Sequence, residues 1–305
     1  MADKISLEFD TGSGATHLSE SESVLAAQAT ENYYQLLGQF KPLRELILIA
    51  PMQVPESVFD ISVARKAGYF NYPPVGLLYI ASVAKHADPN IQVKLIDLNL
   101  EMLENSSNDD FSYGFWKDRL LKTIQNCQSP CIGISCMFDV NKETFVQISQ
   151  FIKQEFPSVP LLAGGVQATY DYEELLSECG FDMIFRKESE EQFSAFIHNI
   201  NKINQSRQPK GLAFRYKGQV LTLGDPAQET PVEFDIREAY SLIPIEEYHK
   251  YGGLAVFSRY NGKEKPFATV LSNRGCRAYC TFCTVRDFNG KGIRARSVES
   301  VIDEL

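Results

Sequence analysis

Three cysteines in one short loop, Cys276, Cys280 and Cys283 of "GCRAYCTFC", form a C-x3-C-x2-C set. Thiolate sulfur is the ligand of iron–sulfur clusters and of structural zinc, so ligand number must separate the two chemistries. A structural zinc site wants four ligands, as a rule in two pairs, and the chain has no second C-x2-C pair. His249 would have to be recruited as a fourth ligand, and no local pattern brings it to the loop. Three cysteines on a four-iron cluster instead leave one iron open to a small molecule. The flanking Arg274, Gly275 and Arg277 supply positive charge and turn freedom.

The other four of the seven cysteines read as ordinary thiols. Cys131 and Cys136 lie five apart on one apolar run, which as a strand points them to opposite faces about 16 Å apart, too far to share a metal. Cys127 and Cys179 close helical stretches. An odd number of cysteines scattered along a long chain suggests a reducing compartment rather than a disulfide framework. With no apolar run of membrane-spanning length and no signal-peptide core, the expected location is cytoplasmic, with no membrane partner. A net charge of −9 over 305 residues disfavours nucleic acid as a partner, because phosphate binding needs clustered Lys and Arg.

Short apolar runs alternating with helical patterns must position the loop. Strands are expected at 46–51, 92–98, 131–137, 160–165 and 181–185, and helices at 75–86, 115–126, 142–156, 172–179 and 190–200. The strands are continuous rather than alternating in hydrophobicity, which means both faces are covered and the fold class is α/β, a doubly wound parallel sheet. A ligand of such a sheet belongs beyond the carboxyl ends of its strands. Small residues at those ends, Gly133, Ser135, Gly164 and Gly165, open backbone to a ligand, although Gly164 and Gly165 also suit a tight strand-to-helix turn. An N-terminal helix opens with Ser19 and Glu22 at capping-box spacing and carries Leu25, Ala29, Tyr33, Leu36 and Phe40 on one face, expected to pack on a neighbouring domain. Residues 211–223 read as a hairpin around Lys217–Gly218, 224–265 as a linker, 267–276 as a strand running into the cysteine loop, and 297–305 as the opening of a helix.

The cysteine spacing, with the aromatic Phe282 just before the last cysteine and "GKGIRARSVESVIDEL" after it, resembles the signature loop and first barrel helix of radical S-adenosylmethionine enzymes. Upstream, "YPPVGLLYIASVAKH" (72–86), "VKLIDLN" (93–99), "IGISCM" (132–137) and "LAGGVQAT" (162–169) resemble, in that order, the cobalamin-binding domain of the cobalamin-dependent branch. The resemblance implies a Rossmann- or flavodoxin-like domain over 44–205 after an extension over 1–43, a hairpin and linker over 206–265, and the start of a radical (β/α) partial barrel over 266–305. It implies a 4Fe-4S cluster on Cys276, Cys280 and Cys283, S-adenosylmethionine near Phe282, and cobalamin near Gly133, Ser135, Gly164, Gly165 and Gln167. Two departures stand out. Residues 51–74 hold no histidine, so D-x-H-x-x-G is missing and cobalt should lack a histidine below it, the "EYHKYG" match at 247–252 being fortuitous. The family's G-E-G-E after the fifth strand is "RKESEE" (186–191) here, with Glu188 and Glu190 kept and both glycines lost.

The implied activity is methyl transfer to an unactivated carbon of a small-molecule substrate, with an electron donor such as flavodoxin or ferredoxin. The alternatives are a cobalamin-dependent radical cyclase or ring-rearranging enzyme and, in another class, a corrinoid or nucleotide binding module with a zinc site. A full barrel needs many more residues than 267–305 supply, so the radical domain is expected to continue past Leu305 and this chain alone is not expected to release 5′-deoxyadenosine.

Overall fold

The computed structural model describes residues 20–202, 210–224, 232–254 and 265–305, with residues 20–23 described by backbone only. After helix α1 (Glu20–Leu37), strand β1 (Glu45–Ala50) leads through a short helix α2 (Ile61–Ala64) to α3 (Val75–Ala87). Strand β2 (Gln92–Asp97) runs directly into α4 (Leu98–Asn105), because the Asp97 carboxylate caps the helix by accepting from the Asn99 and Leu100 amides at 3.0 Å each. Next come α5 (Phe115–Gln125), β3 (Pro130–Ser135), α6 (Lys142–Glu155), β4 (Leu161–Gly164), α7 (Val166–Tyr170), α8 (Tyr172–Glu178), β5 (Met183–Phe185) and α9 (Glu190–Ile200). The five strands are parallel in the order β2-β1-β3-β4-β5, the doubly wound arrangement expected.

Both faces are covered. Leu46 to Ile49 of β1 are each no more than 1% exposed, so a continuous apolar run was the right sign of a strand buried on two sides. Leu46, Leu48, Cys131, Leu162 and Met183 face one core with α1, α3 and α9, while Ile47, Ile49, Ile132, Ile134, Leu161 and Ile184 face the other with residues of α4, α5, α6 and α8. Cys131 and Cys136 fall in opposite cores, Cys179 is buried and Cys127 is half-buried. Burial drives the Cys131 thiol well above its ordinary value and Cys136 up to about 12, which keeps both protonated and inert.

Four expectations change. The hairpin, β6 (Leu212–Tyr216) and β7 (Gln219–Leu223), does not stand apart but adds antiparallel to β5, making a mixed seven-stranded sheet. α1 packs on this extension and on α9 rather than on another domain: Ala29, Tyr33, Leu36 and Leu37 are buried there, Leu25 stays 42% exposed, and the Ser19 cap lies outside the described residues. The stretch read as a linker is folded over 232–254, where α10 (Tyr248–Tyr251) buries Tyr248 completely and its hydroxyl donates to Asp97 Oδ2 at 2.7 Å. Finally, only Asn273–Arg274 (β8) of 267–276 forms a strand, and it pairs not with the large sheet but with β9 (Arg294–Ala295). Between β8 and β9 lies α11 (Val285–Asn289), and after them α12 (Val298–Glu304), which Ser297 caps by accepting from the Ser300 amide.

Candidate active site

One row of residues across the sheet explains where a ligand fits. On the face covered by α3 and α9, Leu48 is in register with Gly133, and Gly133 with Leu162; one step nearer the carboxyl edge, Ser135 is in register with Gly164. Missing and small side chains in the middle strands leave a trough between leucines, at the switch point where the strand order reverses. A cavity of about 810 Å³ occupies it, walled by Gly133, Ser135, Gly164 and Gly165 below and by Thr269, Asn273, Arg274, Gly275, Thr284 and Val285 of the cysteine segment above. Gln167 is not in this wall: its amide side chain donates instead to Asp171 Oδ2 at 2.6 Å.

The small residues do different work. Gly165 has φ +98°, and a β-carbon there would lie 2.4 Å from the Cys136 carbonyl oxygen, so this glycine serves the turn into α7 itself. At Gly164 a β-carbon would meet nothing nearer than the Phe185 carbonyl oxygen at 3.8 Å. Gly164 is therefore the position where a side chain has local room and would take up cavity space.

The cysteine loop is closed at its neck. The Cys276 amide donates to the Gly290 carbonyl at 3.3 Å and the Gly292 amide to the Cys276 carbonyl at 3.1 Å. A β-carbon on Gly275 (φ +87°) would come within 2.5 Å of the Gly292 oxygen, so the neck closes only with glycine there. Cys276 is half-buried at the neck, whereas Cys280 and Cys283 are exposed toward the tip with Phe282, which is 89% exposed. Cys276 Sγ accepts from the Ala278 amide at 3.4 Å. The loop brings the three cysteines onto one short segment without gathering their thiols: among the described residues no three His, Cys, Asp or Glu side chains converge as a metal site. Tyr279 lies under the Arg286 guanidinium, 3.6 Å from its ring centre.

Sequence reasoning passed over the charges beneath the loop. Glu188 and Glu190 are 8% and 5% exposed and hold Arg274, itself 8% exposed. Glu188 also takes Arg294 Nη2 at 2.6 Å. Burial works against the Arg274 charge, but the hydrogen bond it donates to Glu190 and the charges of both glutamates outweigh it and hold the guanidinium more firmly protonated than usual. The available signal was the retained Glu188 and Glu190 in a loop that had lost its glycines.

The family described as "B12 binding domain" matches residues 61–197, the part of the chain that forms β2 to β5 and the lower wall of the cavity. The cytidylyl-2-hydroxyethylphosphonate methyltransferase of Streptomyces wedmorensis is 25% identical over 256 residues, 76% of this chain and 47% of that protein, so the match extends beyond the B12-binding segment. Residues 61–197 are a B12-binding domain. The anaerobic magnesium-protoporphyrin IX monomethyl ester cyclase of Synechocystis is 27% identical over 145 residues, 47% of this chain and 26% of the cyclase. Two solved structures share the fold. The radical S-adenosylmethionine methyltransferase TsrM from Kitasatospora setae, with cobalamin and a [4Fe-4S] cluster bound, superposes with a TM-score of 0.55 at 17% identity over 86% of this chain and 46% of its own. The cobalamin-dependent enzyme OxsB with aqua-cobalamin bound gives 0.56 at 19% identity over 90% of this chain and 32% of its own. The chain spans about half the length of the curated methyltransferases it matches. Among the described residues no helix is long and apolar enough to cross a membrane.

Proposed function

We propose that this protein is a cobalamin-dependent radical S-adenosylmethionine enzyme that takes part in methyl transfer to an unactivated carbon of a small molecule, using cobalamin, a 4Fe-4S cluster and S-adenosylmethionine. The observation that carries the reading is the cavity itself, whose one wall is the carboxyl edge of the B12-binding sheet and whose other wall is the flank of the C-x3-C-x2-C loop. When bound, cobalamin supplies a carrier for a one-carbon unit, while the cluster with S-adenosylmethionine supplies an electron and a radical initiator.

The residues present fit these groups. In the cavity wall, Thr269 Oγ1 and Glu190 Oε2 are buried without a hydrogen-bond partner among the described residues. A corrin rim studded with amides would offer donors to both, which would remove the cost of leaving buried polar atoms unpaired. The trough along Gly133, Ser135 and Gly164 suits the nucleotide tail. His249 is outside the cavity wall, in keeping with cobalt lacking a protein histidine. For the cluster, Cys276, Cys280 and Cys283 provide three thiolates after losing their protons, the Ala278 amide directs a hydrogen bond at the first sulfur, and Phe282 stands free for a planar adenine to lie against.

The cyclase relative supports a second reading in which the same cofactors drive ring closure. An electron donor such as flavodoxin or ferredoxin completes either scheme. Anaerobic reconstitution followed by iron, sulfide and corrinoid analysis tests the cofactors: stoichiometric zinc without iron overturns the cluster. Product mass separates the reactions, since methyl transfer adds one methyl group and rearrangement adds none.

A further inference from the structure

The loop after β5 directs three of its charged residues, Lys187, Glu188 and Glu190, at the cysteine segment. Glu188 Oε1 receives Arg294 Nη2 at 2.6 Å and Asn289 Nδ2 at 3.0 Å, and Glu188 Oε2 lies 3.4 Å from Arg274 Nη1. Glu190 Oε1 takes Arg274 Nη2. Lys187 reaches Asp287 at 3.7 Å, and Tyr170, from the helix next to this loop, donates to the same Asp287 at 2.8 Å. Arg274 and Arg294 are register partners across the two-stranded ribbon that brackets residues 275–293. Glu188 thus grips both legs of the cysteine loop and one residue within it.

Apolar packing offers little alternative. Between Gly275 and Ile293 only Gly290 is buried, and Tyr279, Phe282, Val285 and Ile293 are exposed. Two buried carboxylates are matched by two guanidinium groups, with Arg274 also 5.1 Å over the Tyr79 ring. Buried ion pairs of this kind add little net stability, because desolvation offsets attraction, but they tolerate few geometries and losing one partner is costly. The backbone shows the same priority: Lys187 adopts φ +59°, the left-handed conformation that glycine would take without strain, at the first of the two lost glycines.

We infer that Glu188 and Glu190 are positioning residues that clasp the cysteine loop to the cobalamin-binding sheet and so set the separation and orientation of the two halves of the cavity. The clasp itself is read from the ion pairs, and only the identity of what the loop carries rests on the proposed function.

The test is amide hydrogen exchange, followed by mass spectrometry, on the full chain without cofactors. Glu188→Gln should speed exchange across 275–293 by about tenfold or more, Glu190→Gln by less, with β1 and β3 unchanged. Arg294→Gln, which breaks the outer and more exposed arm together with the Arg294 hydrogen bond to the Asn289 carbonyl, should give an intermediate increase and serves if Glu188→Gln fails to fold. Combining Glu188→Gln with Arg294→Gln should loosen the loop by less than the sum of the two single effects, since both remove the Glu188–Arg294 pair. Lys153→Met removes the remote Lys153–Asp182 pair and should leave loop exchange as it is. Unchanged exchange in both glutamate variants, or an equal increase with Lys153→Met, overturns the clasp. Iron content is measured separately after reconstitution: full iron in Glu188→Gln together with a broadened signal of the reduced cluster supports positioning over ligation. A wild type that takes no iron defeats the proposed function while leaving the exchange result standing.

Discussion

The sheet and the cysteine loop above it are held by different physics. In the sheet, side chains such as Ile47, Ile132, Phe145 and Phe181 are fully buried, so order comes from removing apolar surface from water, which is summed over many residues and is not weakened by ionic screening. In the loop almost nothing is buried, and order comes from a few ion pairs and from glycines that allow close backbone contacts. The first mechanism makes a rigid floor. The second makes an element whose place depends on a handful of directional bonds, which suits a segment that must present thiols and backbone to cofactors.

Substitutions at the two regions should therefore separate stability from cofactor loading. Replacing Cys276, Cys280 or Cys283 with alanine has the largest expected effect, loss of bound iron after anaerobic reconstitution, with the denaturant midpoint unmoved; a cluster retained by any of the three variants breaks the ligand assignment. Phe145→Ala, which empties the stack on Phe181 at 4.8 Å between ring centres, should cost about 3–5 kcal/mol in chemical denaturation and leave loop exchange rates alone.

The polar cluster at the end of β2 tests the floor by pH. Burial raises Asp97 to about 6, against the hydrogen bonds from Tyr248 and the Leu100 and Asn99 amides, which favour its charged form. Above pH 6 the folded chain carries this buried charge at a cost, and as pH falls toward the ordinary aspartate range the folded state binds a proton more readily than the unfolded one and gains stability. Asp97→Asn removes that term, so its stability relative to the wild type should be greater at pH 7 than at pH 4.5, by on the order of 2–3 kcal/mol. An unchanged difference between the two pH values would show that Asp97 is not the buried charge.

Smaller effects sharpen the contrast. Gly164→Leu should weaken cobalamin binding by about tenfold or more with circular dichroism unchanged, whereas Gly165→Leu should destabilise the fold by about 1–3 kcal/mol because it strains the turn. Equal losses of stability in the two would mean that the trough, too, is only structural. Last, His249→Ala should leave the cobalt absorption spectrum as it is, and a changed spectrum would place that histidine on the metal.

What sequence alone determined is whatever period and chemical type encode locally. Five strands and the helices between them follow from continuous apolar runs broken by helical spacing, and the proposal of Cys276, Cys280 and Cys283 as cluster ligands rests on residue type and interval. The N-cap at Ser297 follows from the same local rules. Tertiary structure decided what depends on partners distant in the chain. The hairpin reads as self-contained until Leu212 meets Phe185, and the stretch around Tyr248 has no periodicity because burial of its ring and individual hydrogen bonds to distant residues, Asp97, Asn71 and Tyr69, hold it in place. Glu188 looked like a remnant of a lost glycine motif, since nothing in "RKESEE" shows that its partners are Arg274, Asn289 and Arg294, far along the chain. Ion pairs have no sequence period. Only folding brings such charges together, and so only the structure could show that the acidic loop of the sheet holds the cysteine loop.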